Sequence, residues 1–160
     1  MERITERLNT LLGGLDMAGS WLAPLALRLL LAKEFWDAGV EKFHGRNWFG
    51  DIQDRFPFPF NLLPADLSWQ IATWFELIGP IALVLGLGTR FFSVSLSILT
   101  LVAIAAVHAG HGYTIAEGGW KLPLIYLVMF LPLILSGPGK LSLDHWLRGH
   151  YLKAERRLWS

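Results

Sequence analysis

The stretch FFSVSLSILTLVAIAAVHAGHGYTIA, residues 91–116, runs for 26 residues without an Asp, Glu, Lys or Arg. At about 1.5 Å of rise per residue, roughly 20 apolar residues cross a bilayer as a helix, so this run fixes lipid as the chain's solvent. Residues 67–89 form a second such segment with Glu76 as their only charge, and residues 122–139 form a third with none. A fourth, residues 21–43, is apolar in outline yet holds Arg28, Lys33, Glu34, Asp37, Glu41 and Lys42. Charges inside a bilayer are costly and are kept for a purpose.

Composition agrees with this reading. Among 160 residues, 53% are hydrophobic, too many for a soluble particle of this size. The absence of cysteine excludes disulfides, thiol catalysis and iron–sulfur ligation by this chain. The expected class is an all-α integral membrane four-helix bundle with amphipathic surface helices at both termini. An interfacial helix is expected over residues 1–19, a four-span domain over 20–140 with spans near 21–43, 67–89, 91–112 and 121–137, and a basic amphipathic tail over 141–160. The first 20 residues lack a basic stretch leading to a small-residue cleavage site, so the first span is expected to persist. The lipid bilayer and a protein are the expected partners, and nucleic acid is not.

Four spans place both termini on one side. That side carries eight Lys and Arg residues (Arg3, Arg7, Arg90, Lys140, Arg148, Lys153, Arg156, Arg157) against four (Lys42, Arg46, Arg55, Lys121) on the other. Positive charge stays cytoplasmic, so both termini are expected inside and the loop from His44 to Asp66 outside. At the N-terminus Ile4, Leu8, Leu11, Leu12 and Leu15 form a stripe at helical spacing, and Leu143, Trp146, Leu147, His150 and Tyr151 form another behind Ser142 as an N-cap. Both read as membrane-surface anchors. In the outer loop, Phe56-Pro-Phe-Pro-Phe60 cannot be helical. Its aromatic residues suit an interfacial belt or a lid over a site.

The intramembrane charges are patterned. Glu34, Asp37 and Glu41 share one narrow face of the first span, which predicts an acidic stripe pointing into the bundle, partly neutralised by Lys33. Ser93, Ser97, Thr100, His108 and His111 share a face of the third. Depth along the spans then predicts an outward-opening polar cavity bounded by Glu34, Asp37, Glu41, Glu76, His108 and His111, with Lys33, Lys42, His44 and Glu117 at its edge. Two uses are open to such a set. It can handle protons, through Glu34, Asp37 and Glu76, or hold a cation such as Zn²⁺ at His108 and His111. It can equally be a set of ion pairs that fixes the helices. No metal centre is assigned, and haem fits poorly because the two histidines lie one turn apart on one helix.

Between residues 25 and 144 the chain resembles the DoxX family, small four-helix membrane proteins of bacteria. The resemblance rests on Arg28, on Gly39-Val-Glu-Lys42-Phe43, on Glu76 followed by Gly79, on Leu85-Gly-Leu-Gly-Thr-Arg90, and on Gly137-Pro-Gly-Lys-Leu-Ser-Leu-Asp144. Gly79-Pro80 stands where the family commonly has a glycine pair. The resemblance implies a bacterial inner-membrane protein whose relatives are associated with oxidoreductase complexes, including quinone-linked ones. Other relatives accompany systems that modify or export metal-binding peptides. Arg28, Lys42, Glu76 and Arg90 are the matching residues chemically equipped for more than folding. Two expectations follow. One is a subunit or partner of a quinone-linked redox system, with Lys42 or Arg28 holding the headgroup, Trp36, Phe43 and Trp74 as apolar walls, and His108 and His111 within reach. The rival is a non-catalytic scaffold or carrier for a soluble partner or small substrate.

Overall fold

In lipid the backbone must satisfy its own hydrogen bonds, and the Leu-, Ile- and Ala-rich runs do so as helices. The computed structural model describes residues 2–158, with side chains over residues 6–150. The helices are α1 (Glu2–His44), α2 (Ala65–Leu85), α3 (Thr89–Ala103), α4 (Lys121–Leu135) and α5 (Leu143–Leu158), with no strand among the described residues. Helix α3 runs on through a π-helical turn, Ile104–His108, and a 3₁₀ turn, Ala109–His111. Three segments, Glu6–His44, Ala65–Leu85 and Thr89–His111, are long and apolar enough to cross a membrane. Helix α4 is equally apolar but has 15 residues, about 22 Å of rise against a hydrocarbon core of about 30 Å.

Helices α1 to α4 close a ring in which each packs against two neighbours. All four contribute to the centre: Leu31, Ala32 and Phe35 from α1, Leu83 from α2, Leu96 from α3, Phe130 and Leu133 from α4. Phe35 stacks at a tilt on Phe130, with ring centroids 5.4 Å apart.

The N-terminal region differs from the sequence expectation. No boundary separates a surface helix over residues 1–19 from the first span, because α1 is one helix of 43 residues, about 65 Å long. Gly13, Gly14 and Gly19 each weaken a helix by about 1 kcal/mol without ending it, and Pro24 removes a single backbone bond. Every residue from 6 to 19 is exposed. At the other end Ser142 Oγ accepts from His145 N at 3.2 Å, the anticipated cap of α5. The side chains of Arg3, Ile4, Tyr151, Lys153, Arg156 and Arg157 lie outside the described residues.

Two glycines permit close approach. A Cβ on Gly39 of α1 would sit 2.7 Å from the Glu76 carbonyl oxygen of α2. That carbonyl is the one left without a helical partner by Pro80, which has no N–H to offer four residues on. Gly86, at φ +67°, lies so close to Arg28 and Ser142 that a Cβ would be 2.5 Å from Ser142 Cβ.

Candidate functional site

The close approach at Gly39 sets the register of α1 on α2. One turn further along α1, Lys42 Nζ lies 2.7 Å from Glu76 Oε2, with only 17% and 10% of the two side chains exposed. This buried pair forms one wall of a cavity of about 270 Å³. Ile71 and Ala72 of α2 and Leu99, Val102 and Ala103 of α3 supply apolar walls, and Ala106, Val107 and His108 of the π-turn complete that side. Ser68 Oγ also reaches the cavity, buried and without a hydrogen-bond partner.

The remaining wall comes from the loop between α1 and α2. Trp48, Phe49, Phe56 and Phe60 fold back over α2 and line the cavity. The rings brace one another edge to face: Phe49 is 5.2 Å from Phe56 and 5.0 Å from Trp69 of α2. Gln53 Nε2 donates to Leu63 O at 2.9 Å, and Asn47 Nδ2 to Asp66 Oδ1 at 2.7 Å. Such aromatic pairs add about 0.5–1.5 kcal/mol each beyond burial, enough to hold a proline-broken loop in place.

The sequence-derived site residues divide sharply. Glu76, Lys42 and His108 converge on the cavity. Glu34, Asp37 and Glu41 do not: all three are exposed on the outside of α1. The acidic stripe exists, but the inward face of α1 is instead Arg28, Leu31, Ala32, Phe35 and Gly39. The core selects that face because Gly39 admits the α2 backbone and Phe35 fills the space beside Phe130 and Tyr126. Glu34 accepts from the Tyr126 hydroxyl of α4, and Lys33 pairs with Asp37. Trp36, Phe43 and Trp74 are exposed and line no part of the cavity, so the apolar walls lie elsewhere than expected.

The histidines also separate. A π-turn holds one extra residue and shifts the helix's facing. His108 Nδ1 lies 2.6 Å from Gly118 O, whereas His111 is exposed with Nδ1 3.0 Å from Val107 O. Among the described residues no group of three His, Cys, Asp or Glu side chains is placed to hold a metal.

Arg28 belongs to the opposite end of the bundle. Its guanidinium, fully buried, donates to Leu83 O at 3.1 Å and to Leu141 O, with Val84 O at 3.4 Å. Beside it, Asp144 accepts from the amides of Gly88 at 2.8 Å and Thr89 at 3.0 Å, and Asp144 N donates to Gly86 O at 2.9 Å. Arg90 donates to Leu135 O at 3.1 Å. The glycine-rich turn after α2, the start of α3 and the segment leading into α5 are thus tied together by Arg28 and Asp144, a fastening rather than a pocket.

Ser68, Trp48, Phe49, Phe56 and Phe60 are site residues that the sequence reading did not place. The aromatic loop was a visible signal with two uses. Lys42 and Glu76 offered a stronger one, an acid and a base on consecutive spans with matching burial needs. What the cavity can do chemically follows from its lining: an apolar planar group fits between rings and aliphatic chains, while Lys42 offers donors and Glu76 an acceptor at one side.

A model of the DoxX family matches residues 23–109. An uncharacterized protein of Haemophilus influenzae is 53% identical over 133 residues, which cover 83% of this chain and 88% of that protein. A second uncharacterized protein of the same organism is 39% identical over 79 residues, covering 47% of this chain and 58% of that protein. No solved structure matches the chain.

Proposed function

The chain belongs to the DoxX family of membrane proteins, and from that premise we propose that it binds a quinone-type headgroup in the Lys42–Glu76 cavity and serves a membrane oxidoreductase as subunit or partner. The observation that carries this reading is an aromatic-roofed apolar cavity whose polar groups are confined to one ion pair, one unpartnered hydroxyl and one imidazole. That donor set fits a planar group with oxygen at its edge. A quinone supplies two-electron, two-proton chemistry when bound. The chain's own part is to orient the ring against Phe49 and Phe56, donate from Lys42 Nζ, accept a proton at Glu76, and exclude water beneath the loop. Placement in a bacterial inner membrane with cytoplasmic termini belongs to the same proposal and rests on the eight-to-four charge bias.

Trp48 lines the cavity and reports on it. Purified protein in lipid nanodiscs is titrated with a short-chain benzoquinone while indole fluorescence is followed. The reading expects a saturable component of quenching that is absent in Trp48→Phe and that Glu76→Gln weakens about tenfold, a loss of about 1.4 kcal/mol. Equal saturable quenching in Trp48→Phe, or no change in Glu76→Gln, removes the proposal and leaves the ion pair as a helix fastener in a scaffold.

A further inference from the structure

Lys33 and Asp37 pair on the outer surface of α1 with 66% and 59% of their side chains exposed. Their depth makes this unusual. Lys33 lies five residues from Arg28, which meets the last turn of α2, and Asp37 lies seven residues before His44, where α1 ends. At about 1.5 Å per residue, both are about 8–10 Å inside the span. Ionisable side chains at such depth face a protein interior or a water-filled cavity.

The same face continues down the helix. With about 100° per residue, Leu22, Ala26 and Leu30 fall in line with Lys33 and Asp37, and all three are exposed. Beyond the bundle Leu8, Leu12 and Leu15 extend the line, again exposed. Steps of three and four residues along this series are the spacing of a helix that winds about another. A leucine stripe on a helix that leaves the bundle unbroken, in register with an ion pair inside the span, is an uncovered surface from end to end.

We propose that this face of α1 is covered by the α1 helix of a second copy of the chain, in a parallel two-fold dimer. Copies inserted in one orientation bring Lys33 of each level with Lys33 of the other and within one turn of the opposite Asp37. The two ammonium and two carboxylate groups form a neutral ring, so the face is complementary to itself. A different membrane partner would need polar groups of its own at this depth to meet the pair. Ala26 allows close backbone approach below the ring, and the three leucines close the part outside the bilayer.

The chain has no cysteine, so single-cysteine variants can be oxidised in membranes without background. Leu12→Cys and Ala26→Cys are expected to give disulfide-linked dimers about tenfold above Val128→Cys, which sits on the exposed face of α4. In the Ala26→Cys background, Lys33→Asp places four acids in the ring and should abolish the cross-link, and adding Asp37→Lys should restore it. Cross-linking no greater than at position 128, insensitivity to the reversal, failure of the exchange to rescue, or capture of another protein in place of a second copy each overturns the proposal.

Discussion

Replacing Arg28 with Met keeps an unbranched apolar stem and removes the guanidinium that joins α1 to Leu83 and Leu141. Hydrogen bonds from a charged donor contribute about 1.5–3 kcal/mol each. Two well-formed bonds are lost and the third, to Val84 O at 3.4 Å, is weak, so the gross loss is about 3–6 kcal/mol. Burying a guanidinium carries a desolvation cost that Met avoids, which brings the net toward the lower figure. For a chain of this size each kcal/mol moves Tm by about 2–4 °C, so Arg28→Met in nanodiscs should unfold about 6–12 °C below the parent by fluorescence or circular dichroism. Arg28→Lys retains the charge without the planar fork and should fall between the two. The short-chain quinone should still quench Trp48 in the folded variant, since Arg28 lies at the far end of the bundle. A Tm shift under about 2 °C together with loss of quenching would refute this reasoning and return Arg28 to the binding site.

Two further outcomes follow from the same geometry. Lys42→Met leaves Glu76 buried and unpaired, which should cost about 3–5 kcal/mol by thermal unfolding, whereas Lys42→Met with Glu76→Leu should recover most of that loss; a double variant as unstable as the single one contradicts the pairing. Asp144→Ala removes the acceptor for the Gly88 and Thr89 amides and should lower stability by about 1–2 kcal/mol, with Asp144→Asn losing less, as read from denaturant midpoints.

The helices long and apolar enough to cross a membrane were legible because apolar length is a local property, visible in residues 91–116 without any knowledge of neighbours. The stripe of Glu34, Asp37 and Glu41 was legible as a stripe but not in its direction. A helical wheel says which residues share a face, while the face that turns inward depends on what α2 and α4 present. Here Gly39 meets the Glu76 carbonyl and Phe35 meets Phe130, contacts no local pattern encodes. The cost of charge in lipid argued for an inward stripe in a single chain, and it argues equally for an outward stripe between two chains. His108 and His111 parted for a different reason. A π-turn at residues 104–108 breaks the regular spacing from which their shared face was read. Lys42 and Glu76 were singled out separately, yet their pairing needed the register that Gly39 allows.

Arg28 and its acceptor Leu141 lie 113 residues apart in the chain. A ribosome adding about 5–20 residues per second reaches the second about 6–23 s after the first. Through that interval the guanidinium has, at most, the last turn of α2 for company, and the Gly88 and Thr89 amides wait for a carboxylate not yet made. Water, lipid phosphate or the insertion machinery must shelter these groups meanwhile. The turn before α5 therefore supplies the last acceptors that the first helix and the start of α3 require. Its arrival gives the arginine its acceptor and caps α3 in one step.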